Sequence, residues 1–376
     1  MIYWLLIGVS SGYLLLILSL YYGFAKIPTV KKTQFTETTT EFSVIIPFRN
    51  EATYLPKLLA SIAGLQYPRH KVSFWFVDDA SEDDSVAIIE KFCQENPTWN
   101  IHILKNNRVS NSPKKDAIST AISQIETNWI VTTDADCILP IHWLTYLHQE
   151  VITNQPKMIA APVTYKEGKT FFHYFQLLDF LSLQGTTIGS FGLGIPFMCN
   201  GANIAYQKEA FLQVNGFSGN DSIASGDDVF LLEKFVQKWP DKVVYLKSKS
   251  ALVTTYAVET WDAFVSQRIR WASKSANYTL VTGKIIGIFV LLMNLLFCVL
   301  PLLFFTPISW ESISIIFISK IAVDSLLLLQ TLQFTQQKIK PLYIFISGFI
   351  YPYTTVFIFF KSLFSSYTWK QRTFKK

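Results

Sequence analysis

The chain has 376 residues, half of them hydrophobic and only 16% charged, with a formal net charge of +6. Charged residues normally make up about a quarter of a soluble domain; here the deficit sits in uncharged runs near both ends, which excludes a wholly soluble protein. The modest positive charge lies mostly beside those runs, so anionic membrane lipid is the expected partner and nucleic acid is not.

Residues 1–25 carry no charge and are long enough to cross about 30 Å of hydrocarbon. No basic residue precedes the run and no small-residue cleavage site follows it, so it reads as a retained N-terminal transmembrane helix rather than a signal peptide. Lys26, Lys31 and Lys32 follow directly, and the positive-inside rule places the central domain in the cytoplasm. Residues 26–41 are polar and Thr-rich and read as a linker.

Strand and helix patterns then alternate. Phe42–Pro47 reads as a buried strand, followed by a helix carrying Leu55, Leu58, Leu59 and Ile62 at helical spacing. Val72–Val77 is a second strand, and a helix is expected over about 84–95. Ile101–Leu104 is a third strand, with a helix over 114–126. Trp129–Val131 is a fourth strand, running into Thr132-Thr133-Asp134-Ala135-Asp136-Cys137. Apolar strands alternating with helices predict an α/β fold with a mostly parallel sheet covered on both faces. Ligands of such sheets bind beyond the carboxyl ends of the strands. Three of those ends are polar, namely Arg49-Asn50-Glu51, Asp78-Asp79 and Asp134-Ala135-Asp136, and they are expected to share one crevice. Two carboxylates two residues apart at a strand end suit a hard cation, Mg²⁺ or Mn²⁺, which leaves coordination positions for phosphate oxygens. Together these features point to a nucleotide site.

The four cysteines show no CxxC spacing and the five histidines do not cluster, so neither a zinc site nor a disulfide framework is expected. Residues 171–184 form an aromatic-rich stretch that reads either as a core helix or as a helix in the membrane interface. Residues 185–201 are Gly-rich and read as a loop.

The segments SVIIPFRNE, FVDDASEDDS, SPKKDAISTAI, TTDADC, CNGANIAY, SGDDVFLL and QRIRW occur in the order and approximate spacing of the membrane glycosyltransferases of family 2. Over about residues 42–275 the chain resembles that family, which includes cellulose, chitin, hyaluronan and poly-N-acetylglucosamine synthases. The resemblance implies a GT-A fold over 42–282 and a nucleotide-sugar donor, usually a UDP-sugar. It places Arg49 and Glu51 in the nucleoside pocket and Asp79 or Asp78 at uridine, although helix capping would also account for Asp78. It places Lys114 at the diphosphate or base, with Lys115 a second candidate because Pro113 stands where the family has glycine. Asp134 would contact the donor and, with Asp136, hold Mg²⁺ or Mn²⁺. Asp228 would be the base that deprotonates the acceptor hydroxyl, supported by Asp227 where the family has glutamate, and the reaction would invert the donor anomer. Gln267, Arg270 and Trp271 match the QxxRW element at the acceptor and diphosphate, with the indole offered to a sugar ring. Asn200 and Asn203 would supply polar contacts to the acceptor. The implied activity is transfer of a hexosyl or N-acetylhexosaminyl group to a lipid-linked or polysaccharide acceptor, with export or synthesis partners. The competing reading is a non-catalytic nucleotide-sugar-binding subunit of a membrane glycan-synthesis complex.

The C-terminal part, 283–366, reads as about three transmembrane helices, preceded by an interfacial helix over about 260–275 and followed by a basic tail, 367–376. Lys320 and Asp324 interrupt one apolar run four residues apart, on one helix face, where they can pair. Three C-terminal crossings put the tail outside, whereas Lys370, Arg372, Lys375 and Lys376 favour the inside. The number and orientation of these spans therefore stay open at this level.

Overall fold

The structure is a computed structural model in which residues 2–30, 37–219, 225–275, 278–364, 367–369 and 372–374 are described. Lys31, Lys32, Lys370, Lys375 and Lys376, which entered the topology argument, lie outside them.

The N-terminal apolar run is a helix, α1 (Ile2–Lys26). The central domain opens with β1 (Phe42–Phe48), α2 (Leu55–Ala63), β2 (Val72–Asp78), α3 (Ser85–Glu95), β3 (Asn100–Lys105), α4 (Pro113–Ile122) and β4 (Trp129–Thr132). It continues through α5 (Trp143–Asn154), β5 (Met158–Ala160), β6 (Val163–Tyr165), α6 (Phe171–Gly192), β7 (Ile204–Gln207), α7 (Lys208–Gln213), α8 (Asp227–Lys238), β8 (Val243–Tyr245), β9 (Val253–Thr255) and α9 (Trp261–Ser275).

Seven strands form one sheet in the order β3-β2-β1-β4-β7-β5-β8. The first four are parallel, and β7 runs antiparallel to both β4 and β5. Pleating divides β1 between the two faces: Phe42, Val44, Ile46 and Phe48 pack with Leu55, Leu58, Trp143 and Leu147, whereas Ile45 packs with Ala117, Ile118 and Ala121 of α4. The central strands are therefore apolar on both sides, as their sequence requires. Because β2, β1 and β4 are parallel neighbours, their carboxyl ends lie at one rim. A smaller parallel ribbon, β6 with β9, is tied to the segment just after Asp136 by an antiparallel bridge between Ile138 and Thr254.

Three further helices follow: α10 (Val281–Val299), α11 (Trp310–Thr335) and α12 (Pro341–Phe364). With α1, four helices are long and apolar enough to cross a membrane. Lys320 and Asp324 pair at 2.6 Å on α11, and Tyr13 of α1 donates to the same carboxylate at 2.6 Å. The polar contact thus ties the first of these apolar helices to the third.

The loop expected over 185–201 is corrected. Helix α6 runs on to Gly192, because its glycines sit where other backbones approach. A Cβ on Gly189 would stand 2.4 Å from the Leu20 carbonyl oxygen of α1, and one on Gly192 1.8 Å from that of Gly23. One on Gly185 would meet the Thr331 hydroxyl of α11 at 2.5 Å. Small residues allow this close helix contact in an apolar setting. Gly192→Ala is expected to destabilise the protein by about 1–3 kcal/mol through overpacking. Gly8→Ala, with no neighbour within 4 Å of the added carbon, should leave stability unchanged. Thermal unfolding of the detergent-solubilised variants separates the two; equal melting temperatures would contradict the close contact.

Candidate active site

The β1 and β2 ends are joined through Arg49. Its guanidinium donates to the carbonyl oxygens of Asp79 (2.8 Å) and Ala80 and pairs with Glu82 at 2.9 Å. Asn50 accepts from the Glu82 amide at 2.8 Å with a left-handed backbone, φ 52°. Glu51 is buried, and its amide donates to Ser85 Oγ at 2.8 Å. Asp79 is buried and accepts from Asn106 Nδ2 at 2.8 Å, with Arg108 at 3.7 Å. Asp78 accepts from the Ser81 amide at 2.9 Å, so it shapes the turn after β2; α3 starts further on, after Asp84, and Asp78 does not cap it.

The second cluster lies at the end of β4. Lys114, in the first turn of α4, places Nζ 2.7 Å from Asp134 Oδ1 and 3.2 Å from Asp227 Oδ2. Lys115 turns away into the core, 5.1 Å from the Phe230 ring. This separates the two lysines that the sequence left as alternatives. Asp227 and Asp228 occupy the first turn of α8, after Gly226 at φ 85°. A helix N-terminus favours carboxylates there. Asp228 accepts from its neighbouring amide, Val229 N, at 2.8 Å and from Gly201 N at 3.3 Å, and pairs with Lys274 at 3.1 Å. Gly201 leaves no room for a side chain: an added Cβ would lie 2.9 Å from Asp227 Oδ2 and 3.2 Å from Lys114 Nζ.

Electrostatics sets the protonation of this cluster. Burial raises the Asp228 pKa, but Lys274, Lys114 and the Val229 amide outweigh it and hold the carboxyl below its usual range. Burial opposes the Lys114 charge, yet Asp134 and Asp227 hold its pKa well above normal. Burial likewise opposes Lys274, which Asp228 brings up to about 12. Asp228 is thus an ionised carboxylate placed between two cations.

Lys274 does not stand out in the sequence. Its signal is helical spacing, since it lies four residues after Arg270 on the helix that carries QRIRW. Replacing it with Met removes the cation that lowers Asp228. The acid limb of a kcat/KM–pH profile, where Asp228 becomes protonated, should therefore move to higher pH. Lys274→Arg should keep the limb in place, and an unmoved limb in Lys274→Met would contradict the pairing.

One expectation for the acceptor side is corrected. Asn203 is fully buried; its amide donates to Pro162 and Ala251 carbonyl oxygens at 2.8 Å each and accepts from Trp143 Nε1 at 2.9 Å. With those bonds made inside the sheet it braces the core rather than an acceptor. Within QRIRW, the buried arginine is Arg268, paired with Asp179 of α6 at 2.5 Å and lying 4.2 Å from the Trp271 ring. Trp271 also packs against Phe180, so part of the indole offered to a sugar is already covered. Gln267 accepts from Arg268 at 2.5 Å, whereas Arg270 is half-buried. Asn200 is half-buried beside the site and accepts from the Ala202 amide at 3.0 Å.

Among the described residues, no group of three or more His, Cys, Asp or Glu side chains forms a metal-ready cluster. The donor chemistry nevertheless fits Mg²⁺ or Mn²⁺. Asp134 and Asp136 are half-buried oxygen donors at one strand end. The Asp134 side chain is 38% exposed and already attracts a cationic group. One or two protein carboxylates plus substrate phosphates are the usual complement for such ions.

Acidic ends on a mixed α/β sheet, with helix α8 delivering two more carboxylates, define the GT-A class of nucleotide-sugar transferases. Residues 43–214 match the family model described as Glycosyl transferase family 2, and residues 129–360 match Glycosyl transferase family group 2. The chain belongs to glycosyltransferase family 2. The mannosyltransferase PcManGT from Pyrobaculum calidifontis, solved in complex with GDP-Man and Mn²⁺, shares the fold. It aligns over 96% of this chain and 98% of its own, with a TM-score of 0.57 at 16% identity. The beta-monoglucosyldiacylglycerol synthase of Trichormus variabilis is 21% identical over 238 residues, 61% of this chain and 48% of that protein. The poly(ribitol-phosphate) beta-N-acetylglucosaminyltransferase TarS of Staphylococcus aureus is 30% identical over 96 residues, 26% of this chain and 16% of its own. The matches therefore span about half or less of these two relatives.

Proposed function

We propose that this protein is an inverting, metal-dependent membrane glycosyltransferase that moves a sugar from a nucleotide-sugar, a UDP-sugar by preference, to a membrane-associated lipid or glycan acceptor. The observation that carries the reading is the Asp134–Lys114–Asp227 chain of contacts beside Asp228, on a domain joined to four apolar helices.

In this account Glu51 and Asp79 line the nucleoside pocket, and Arg49 holds the β1 and β2 ends in register around it. Lys114 faces the donor diphosphate, and Asp134 and Asp136 hold Mg²⁺ or Mn²⁺. When bound, the cation neutralises charge on the departing nucleoside diphosphate. Asp228 accepts the proton of the acceptor hydroxyl as that oxygen attacks the anomeric carbon. Asp227 anchors Lys114. One base and in-line attack require no covalent intermediate, so the anomeric configuration inverts.

Helix α9 carries Gln267, Arg270, Trp271 and Lys274 and packs through Phe264, Val265 and Ile269 against Ile358 of α12. That contact supports an acceptor arriving along the membrane, and the lysines that follow the first apolar run in the sequence support a catalytic domain on the cytoplasmic face of the inner membrane. The relatives' names, one a glucolipid synthase and one a polymer glycosyltransferase, support the same range of acceptors. The test is incubation of membranes containing the protein with a panel of labelled nucleotide sugars, followed by separation of lipid-extractable and polymeric products. Label is expected in one of those fractions; label in neither, with every donor tried, would contradict the proposal.

A further inference from the structure

Beside Asp136 lies an aromatic and cationic patch that the transfer chemistry above does not use. Ile138 pairs antiparallel with Thr254, which brings the segment ending in Tyr256 beside the turn that carries Asp136. Tyr256 packs against Tyr54, the residue that caps α2, with ring centroids 4.9 Å apart and planes tilted by 41°. Burial, and then the nearby Asp136, Glu259 and Glu51 carboxylates, push the Tyr54 phenol pKa up. Lys57 and Lys166 place their ammonium groups 4.9 and 5.6 Å from the centre of the Tyr256 ring.

The two lysines differ from those inside the site. Lys114 and Lys274 are each neutralised by aspartate. Lys57 and Lys166 are exposed, and among the described residues neither has a carboxylate within ion-pair distance. The Tyr256 hydroxyl is buried with no partner among the described residues. Two unneutralised cations held on an aromatic wall, with an orphaned hydroxyl at its inner end, make a site for an anion that also carries hydroxyls. Its place fits an acceptor: Tyr54 is within electrostatic reach of both Asp136 and Glu51, the residues read above at the diphosphate and the nucleoside.

We infer that Tyr54, Tyr256, Lys57 and Lys166 form an acceptor subsite for a phosphate- or carboxylate-bearing sugar or polyol, with the anion on the two lysines. The acceptor role rests on the transferase reading above, whereas the anion preference can be measured without it. The experiment is titration of the full-length, detergent-solubilised protein with glucose 6-phosphate and with glucose, each with and without saturating UDP and Mn²⁺. Wild-type protein should bind glucose 6-phosphate about tenfold or more tightly than glucose, the scale of charge-assisted hydrogen bonds. The preference should persist when UDP fills the donor site. Lys57→Gln/Lys166→Gln, which alters only exposed side chains, should abolish the preference and leave UDP affinity unchanged. Equal binding of the two sugars by wild-type protein would overturn the inference. So would weakened UDP binding in the double variant, which would assign the lysines to the donor. Failure of wild-type protein to bind UDP would instead count against the donor reading, and the comparison of the two sugars would still be read.

Discussion

Asp228→Asn is expected to lower kcat by about 10²–10⁴, the usual contribution of a positioned base, with the donor KM unchanged. The substitution removes basicity and one of two backbone bonds. The asparagine oxygen can still accept from Val229 N, the shorter bond at 2.8 Å, whereas its amide nitrogen takes the place of the oxygen that accepts from Gly201 N at 3.3 Å. The fold and donor pocket should therefore survive, and the loss should appear in turnover. The main charge effect is on Lys274, which loses its partner. Asp227→Asn gives the contrast: it removes one of two carboxylates around Lys114 and leaves Asp134 in place. Its effect should be smaller and should appear partly in donor binding. Steady-state kinetics on both variants checks the assignment; full activity in Asp228→Asn would move the base to another group.

Removal of the divalent cation is expected to have an effect of similar size. Excess EDTA should abolish transfer, and added Mn²⁺ or Mg²⁺ should restore it. The double variant Asp134→Asn/Asp136→Asn should lose about 10³-fold or more, since single groups that stabilise developing charge are worth about 10²–10³. Lys114 makes the experiment informative. Its ammonium lies 2.7 Å from Asp134, and a lysine is itself a cation able to meet a diphosphate. Were Lys114 the whole source of positive charge, EDTA would leave the rate unchanged and Lys114→Met alone would abolish it. The account predicts that both are needed, the cation for the leaving group and the lysine for positioning, so each loss should be severe by itself. Activity in EDTA equal to that with metal would contradict this part of the account.

What could be read from the sequence follows from what residue patterns encode. A buried parallel strand is an apolar run that stops at a polar residue, so the ends at Arg49, Asp78 and Asp134 are visible without coordinates. The apolar helices are visible for the same reason, as are Lys320 and Asp324 four residues apart on one face. Patterns encode faces, not neighbours. Gly185, Gly189 and Gly192 look like a loop because glycine has low helix propensity; the backbones of Leu20 and Gly23, which make glycine necessary, are about 170 positions away in the chain. Asn203 looks like a ligand because it is polar beside a site, and only the sheet shows its amide fully bonded. The QxxRW match singles out Arg270, but nothing in the linear text marks Arg268, whose partner Asp179 lies on another helix. Lys274 carries no mark of its own until Asp228 is brought to it by α8.

The central claim is that the carboxylates at the β4 end and the start of α8 carry out metal-dependent sugar transfer. The most direct measurement is release of nucleoside diphosphate from UDP-sugars by the purified full-length protein, with Mn²⁺ or with EDTA, in wild type and in Asp228→Asn. The account predicts release only with the cation, and its loss in the variant while donor still binds. Donor binding without turnover in the wild type, across a broad set of acceptors, would contradict it and favour a non-catalytic nucleotide-sugar-binding subunit.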